Sequence, residues 1–426
     1  MKGDFTRDTF DPARHFSRVL MQQGRVQLDA DWNEQAAILL HYLETLAADL
    51  IGPHGGPAGK KGFEIQVKAQ SLIIGAGRYY VDGILCENET PCTYDDQPDF
   101  PLVNLKTNMP TFWERGSYAV YLDVWERHIT DLDDNLIREV ALGGPDTATR
   151  AKVVWQVKLM PAVNCDDIYI PLADLMDPKL KGPMQAHLVK EDAQADPCIT
   201  APDSKYRGAE NQLYRVEIHE VIRDGTKVKS WTFKWSRENG SIVAAWLGNN
   251  EDGGLVVSSV RGFEAGGWVE ITSEIEELNN LPGKLTRVIK VEGDALYLES
   301  GPEKSWDPAS LVKIRRWDQR EGGDVKWNNG AVQGVEDIWI DLEDGIQVFF
   351  ESGNDHFSGD YWLIPARVAT GEIEWPLVGD KPASLPPRGI QHHFAPLAIV
   401  QSDSTQFNWI QDCRRTIDYL GKETAA

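Results

Sequence analysis

The chain has 426 residues, 43 Lys and Arg against 66 Asp and Glu, and a formal net charge of −23. This balance excludes a phosphate-backbone partner, which needs a cationic footprint, so no nucleic acid is expected. The length implies roughly two to four domains, and 42 % hydrophobic residues are enough for folded cores.

No apolar run approaches the roughly 18 residues of a membrane span. The opening MKGDFTRDTF lacks the apolar segment of a secretory signal, so synthesis in the cytoplasm is expected. Residues 1–28 read as an extended arm, with Asp11-Pro12 disfavouring helix at position 11. Asp31 is a good N-cap, and Glu34 stands at capping-box spacing from it. The helix they open runs to about Ile51 and stops at Gly52-Pro53.

The apolar positions of this helix are Trp32, Ala36, Leu39, Leu43, Leu46 and Leu50, with steps of four and three that make a seam of period 3.5. Leu40, Ala47 and Ile51 widen it. Such a seam either pairs helices between subunits or packs the helix on its own domain, and its width favours packing.

HGGPAGKKG, residues 54–62, is a joint, after which the apolar period changes to two. FEIQVKA, SLIIGAGRYYVDGILCEN, SYAVYLDVWERHIT and RAKVVWQVKLM read as strands, and YVDGIL carries the Asp-Gly chemistry of a tight hairpin. The predicted division is an assembly segment at 1–56, a first β domain at 57–163 and a long connection with few regular patterns at 164–205. A second β domain follows at 206–316, a small barrel or sandwich by its short strands and Gly or Asn-Gly turns. A third β unit with a C-terminal segment fills 317–426. The fold class is therefore mainly β and multi-domain, with an N-terminal arm and one long α-helix followed by small sandwich or barrel units.

Candidate chemistry is sparse. Five Cys (Cys86, Cys92, Cys165, Cys198, Cys413) form no CxxC, and their odd number argues against a disulfide framework. Asp131, Asp133 and Asp134 lack the spacing of a calcium loop and read as a solvated turn. Glu336 and Asp337 with Glu343 and Asp344 have the residue types of a glycosidase pair, but strand alternation points most of them to solvent. His392 and His393 are adjacent, so on a strand they face opposite ways and do not share a metal easily. ALGGPDTATR has no phosphate-loop spacing, and no GxSxG occurs. No catalytic, cofactor or metal residue is assigned, and an enzyme is not expected. The 15 Trp suit either packing in thin β domains or sugar-stacking faces, with Trp235, Trp246, Trp268 and Trp327 as candidates for the latter.

The opening FDPARHFSRVLMQQGRVQLDADWNEQ resembles the N-terminal signature of a bacterial family of uncharacterised domains, DUF6519. The likeness continues through YYVDGILCEN, YAVYLDVWERHIT, IREVALGGPDTATRAKVVWQVK, YRVEIHE, FKWSRENGS, LEDGIQVFF, GDYWLIPAR, HHFAPLAIV and DCRR, nearly the whole chain. A shorter likeness links the arm, helix and YVDG hairpin to attachment domains of phage tail fibres. The resemblance implies a structural component of a contractile injection system, a phage-tail-like particle: a fibre-, cage- or accessory-type subunit at the baseplate. It implies a homo-oligomer, with a trimer the natural guess from phage fibres, or a contact with baseplate proteins. The particle assembles after cytoplasmic synthesis and can be released from the cell. A carbohydrate- or receptor-binding module of such a particle, taking a cell-surface glycan, is the alternative; a β-scaffold glycoside hydrolase stands behind it.

Within this reading residues 5–35 are the expected assembly contact. Phe5 and Phe10 lie in the arm. Arg18 and Arg25 offer bidentate bonds to carboxylates. Gln22 and Gln23 offer bonds to exposed backbone, and Gly24 permits a positive φ. Asp31, Trp32, Asn33 and Glu34 open the helix with Trp32 as anchor, and Leu39, Leu43 and Leu46 continue the seam. The competing expectation is an arm that wraps its own β domain.

Overall fold

The structure is a computed structural model that describes residues 1–68, 71–100, 114–176, 181–189, 205–225, 227–302, 306, 311–321, 326–403 and 406–417. It is mainly β. No described helix is long and apolar enough to cross a membrane. The chain divides into two compact units, each assembled from separate stretches. The barrel unit holds residues 1–8, 129–149 and 178–389, and the helix unit holds 9–128, 150–177 and 390–426.

In the helix unit a four-stranded sheet runs in the order Phe407–Asp412, His393–Ser402, Gly116–Ile129, Arg150–Pro161. Gly116–Ile129 is buried over most of its length because both its faces are covered. Val120, Leu122 and Val124 enter one core with Phe63, Tyr79 and Trp155. The alternate residues Ala119 and Tyr121 enter another with Ile168, Phe394 and Cys413. A second sheet is made of Thr416–Ile417, His54–Pro57, Gly77–Val81 and Ile84–Asn88. Its hairpin turns at Asp82 (φ 48°) and Gly83 (φ 87°), the two left-handed residues that a two-residue turn of this hand requires.

In the barrel unit the strands Val243–Asn249, Leu255–Val257, Ala295–Leu298, Lys284–Glu292, Trp268–Thr272 and Lys313–Trp317 close a six-stranded barrel. Beside it Gln212–Asp224 lies between Lys227–Ser236 and Tyr361–Arg367 in a six-stranded sheet. That sheet joins residues on both sides of position 316, so the stretches read as second and third β units share hydrogen bonds. Tyr214, Val216 and Ile218 enter its apolar core. Arg215, Glu217 and His219 alternate with them, are also buried, and meet Lys234, Glu270 and Lys2. Lys234 Nζ lies 2.5 Å from Glu270 and 3.3 Å from Glu217, and Arg215 Nε donates to Glu217 at 2.6 Å. The cations hold Glu217 well below the usual carboxylate range and Glu270 at about 2, against the opposing effect of burial. Both carboxylates are ionised and bonded at neutral pH.

Three sequence expectations are corrected. Residues 164–205 hold more regular structure than their few sequence patterns indicated: they contain the helix Tyr169–Met176 and the strand Met184–Leu188, which pairs with Ile346–Phe350. Residues 177–180 and 190–204 lie outside the described residues. Cys165 and Cys413, 248 residues apart in sequence, form a disulfide, so the odd cysteine count concealed a pair; Cys86 and Cys92 are free, and Cys198 lies outside the described residues. Asp133 is not solvated. It accepts from the amide and hydroxyl of Thr130, at 2.9 and 2.8 Å, and pairs with Lys313 at 2.6 Å.

Candidate assembly interface

The long helix, α1, spans Asp29–Ile51. Asp31 is not its N-cap: the helix starts two residues earlier, after Leu28, which makes no side-chain cap bond. Asp29 and Asp31 instead place two negative charges in the first turn, where the helix dipole favours them. Glu34 does not close a capping box; it accepts a bond from the Thr9 hydroxyl at 2.6 Å. The C-terminal stop falls at Gly52, whose amide donates to Ala48.

Only Ala30 and Ile38 of α1 are buried. The helix is seated on its own unit through a close backbone approach: a Cβ on Gly83 would lie 2.1 Å from the Glu44 carbonyl oxygen, so only glycine fits the hairpin turn there. The seam points elsewhere. At 3.6 residues per turn Ile38 and Ala30 lie about 120° and 160° around the helix from the seam's centre. Trp32 is 78 % exposed, and Leu39, Leu43, Leu46 and Leu50 are each more than half exposed. The expectation that a wide stripe packs on its own domain is therefore overturned, because the helix rests on its opposite face.

The arm divides. Residues 1–8 belong to the barrel unit, where Lys2 pairs with Glu217 at 3.0 Å, Arg7 with Glu374 at 3.1 Å and Asp8 with Arg388. Phe5 is half-buried there. Burial lowers the Lys2 ammonium to about 8, partly opposed by Glu217. Residues 9–19 run beside α1: the Phe10 ring lies 5.7 Å from that of His41, and the Val19 amide donates to Gln35 at 2.8 Å. This much of the arm follows its own chain. Arg18, Gln22, Gln23, Gly24 and Arg25 are exposed, with a turn at Gly24 (φ 70°) closed by the Arg25 amide on the Gln22 carbonyl. Phe16, Leu20, Met21, Val26 and Leu28 add exposed apolar side chains that sequence reading did not single out. Asn33 is exposed, and Asp31 and Glu34 are half-buried.

The other candidates are placed as follows. Trp235, Trp246 and Trp268 are buried and Trp327 is half-buried, so the Trp chosen as sugar platforms pack inside the barrel unit. Trp409, 52 % exposed, was missed, because one outward Trp on a strand leaves no sequence period. The Tyr214 hydroxyl reaches Glu343 and Asp344 at 3.1 and 3.2 Å, and Arg237 bonds Glu343 at 2.7 Å. Glu336 lies 3.8 Å from the His356 ring, and Asp337 accepts from the Ser352 amide. His392 and His393 bond separate carboxylates, Asp123 and Asp82.

No curated protein and no solved structure matches the chain. A family described as one of unknown function, DUF6519, matches residues 1–181, 173–251 and 299–425. Matched in order over nearly its whole length, the chain belongs to the DUF6519 family of unknown function.

Proposed function

We propose that the chain is a self-assembling structural subunit, a fibre-, cage- or accessory-type component at the baseplate end of a phage-tail-like contractile injection particle, joined to further copies of itself through α1. The observation that carries the assembly reading is the seam from Trp32 to Leu50, exposed on the side of the helix away from its own unit. With Ala36, Leu43 and Leu50 at heptad position a and Trp32, Leu39 and Leu46 at d, the flanking e and g positions carry only Asp49 as a charge. Copies can then approach with little like-charge opposition, which favours a second copy over an unlike partner. The particle context rests on the likeness of the sequence motifs. The Cys165–Cys413 disulfide suits a subunit that functions outside the reducing cytoplasm.

The test is electron microscopy of particles purified from the native host with this chain tagged, beside a strain lacking it. Label at the baseplate end, with density missing there in the deletion strain, supports the reading. Unlabelled particles that are unchanged by the deletion overturn it.

A further inference from the structure

The barrel unit encloses a pair of opposite charges that the α1 seam does not use. Lys181 Nζ donates to Asp360 Oδ1 at 2.8 Å, from 179 residues away in the chain. Lys181 is 7 % exposed and Asp360 4 %. Lys181 leads into the strand Met184–Leu188, and Asp360 leads into Tyr361–Arg367. These strands lie in different sheets, and their Met184, Trp362 and Ile364 meet in one apolar core.

The surroundings are dry and short of partners. Asp360 Oδ2 is buried and has no hydrogen-bond partner among the described residues. The Phe357 ring centre lies 5.5 Å from Lys181 Nζ. A Cβ on Gly389 would stand 2.6 Å from Asp360 Oδ1 and 3.3 Å from Lys181 Nζ, so glycine leaves room for the pair where it is. On the neighbouring stretch Asp355 is engaged by Arg223 at 3.2 Å, which also bonds the His356 carbonyl at 3.0 Å. The His356 imidazole packs against Gly182, and burial lowers it to about 4, so it brings no charge at neutral pH. Burial pushes the Asp360 carboxyl up to about 6, against the opposing effect of Lys181. A buried ion pair is well compensated only when its remaining lone pairs are bonded too. Here one carboxylate oxygen has no donor.

We infer that Lys181 and Asp360 condense to an internal amide that ties the two sheets of the barrel unit together. Nζ is no more than about 4 Å from Asp360 Cγ, since a C–O bond adds only about 1.25 Å to the 2.8 Å contact. One proton passes from the ammonium to Oδ1 across that contact. The freed amine attacks Cγ and the C–N bond forms. Oδ1 takes a second proton from the nitrogen, the Cγ–Oδ1 bond breaks, and water leaves. Oδ2 remains as the amide carbonyl oxygen. The step consumes no oxidant or co-reactant. It removes both buried charges and with them the unbonded half of the carboxylate. A site closed to water also disfavours the reverse hydrolysis.

The bond is independent of the assembly reading, and mass decides it. The full chain is kept folded at pH values on both sides of 6, then reduced, unfolded and weighed by mass spectrometry. The wild-type mass is expected to fall one water below that of its sequence. Lys181→Met, which keeps the side-chain length without the nucleophile, is expected at its full mass, and Leu43→Asp to form the bond as wild type does. Proteolysis and fragmentation are expected to yield a branched peptide joining Lys181 to Asp360. A wild-type chain at full mass throughout overturns the bond, whatever the variants do. So does a missing water without the branched peptide, because an Asp-Gly step such as Asp82-Gly83 also loses one water by closing on its own backbone.

Discussion

Replacing Leu43 by Asp tests whether the α1 seam is a contact between copies. Leu43 is 64 % exposed, so the isolated chain has little burial to lose there. The intrinsic helix cost of Asp over Leu is about 0.5 kcal/mol. Full burial of a Leu side chain stabilises by roughly 1.5–3 kcal/mol, so covering the exposed share of Leu43 is worth about 1–2 kcal/mol per copy. A dimer contains two such positions and loses about 2–4 kcal/mol, which weakens association by a factor of roughly 30 to 1,000. The carboxylate placed in an apolar contact adds to this. Sedimentation velocity over a concentration series reads the result. The expected outcome is a wild-type oligomer that dissociates on dilution and a Leu43→Asp chain that stays monomeric with a nearly unchanged melting temperature. A wild-type chain that is monomeric at its highest soluble concentration, or a variant with the same species distribution, refutes the reasoning.

Two predictions concern the units themselves. Burial holds His219 neutral, with its pKa lowered to about 4, and Lys234 acts the same way while Glu270 and Glu217 oppose it. The unfolded chain takes up this proton from about pH 6.5, so stability falls as pH drops from 6.5 towards 4. His219→Gln is expected to flatten the fall in melting temperature over that window, leaving the part due to His54 and His356, which are also lowered to about 4; an unchanged slope sinks the assignment. Gly83→Ala places a methyl against the Glu44 backbone at a positive φ. A loss of about 1–3 kcal/mol is expected, read as faster hydrogen exchange in α1 with the barrel unit unaffected.

The most legible features in the sequence were those set by local chemistry. The stop of α1 at Gly52 follows from a residue that caps without strain, and the Asp82-Gly83 hairpin from two residues that tolerate positive φ. The start of α1 lies two residues before Asp31, and the Glu34 carboxylate that would close a capping box is taken by Thr9, 25 residues away in the chain. Period alone identified the seam but not its exposure, since the choice depends on which face Gly83 and the rest of the unit leave open. The pairing of Tyr361–Arg367 with Gln212–Asp224, and of Cys165 with Cys413, joins positions with no shared local pattern.

The position of His393–Ser402 also governs when the protein can fold. This strand pairs with Gly116–Ile129 on one side and Phe407–Asp412 on the other, and its Ala395, Leu397 and Val400 fill the core of the helix unit. A ribosome that has translated α1 and the Asp82-Gly83 turn has therefore produced the helix long before the sheet that supports its seat can close. Until residues near 400 emerge, the α1 seam belongs to an unfinished nascent chain. On the proposed assembly through α1, neighbouring ribosomes on one message carry matching seams close together for most of translation.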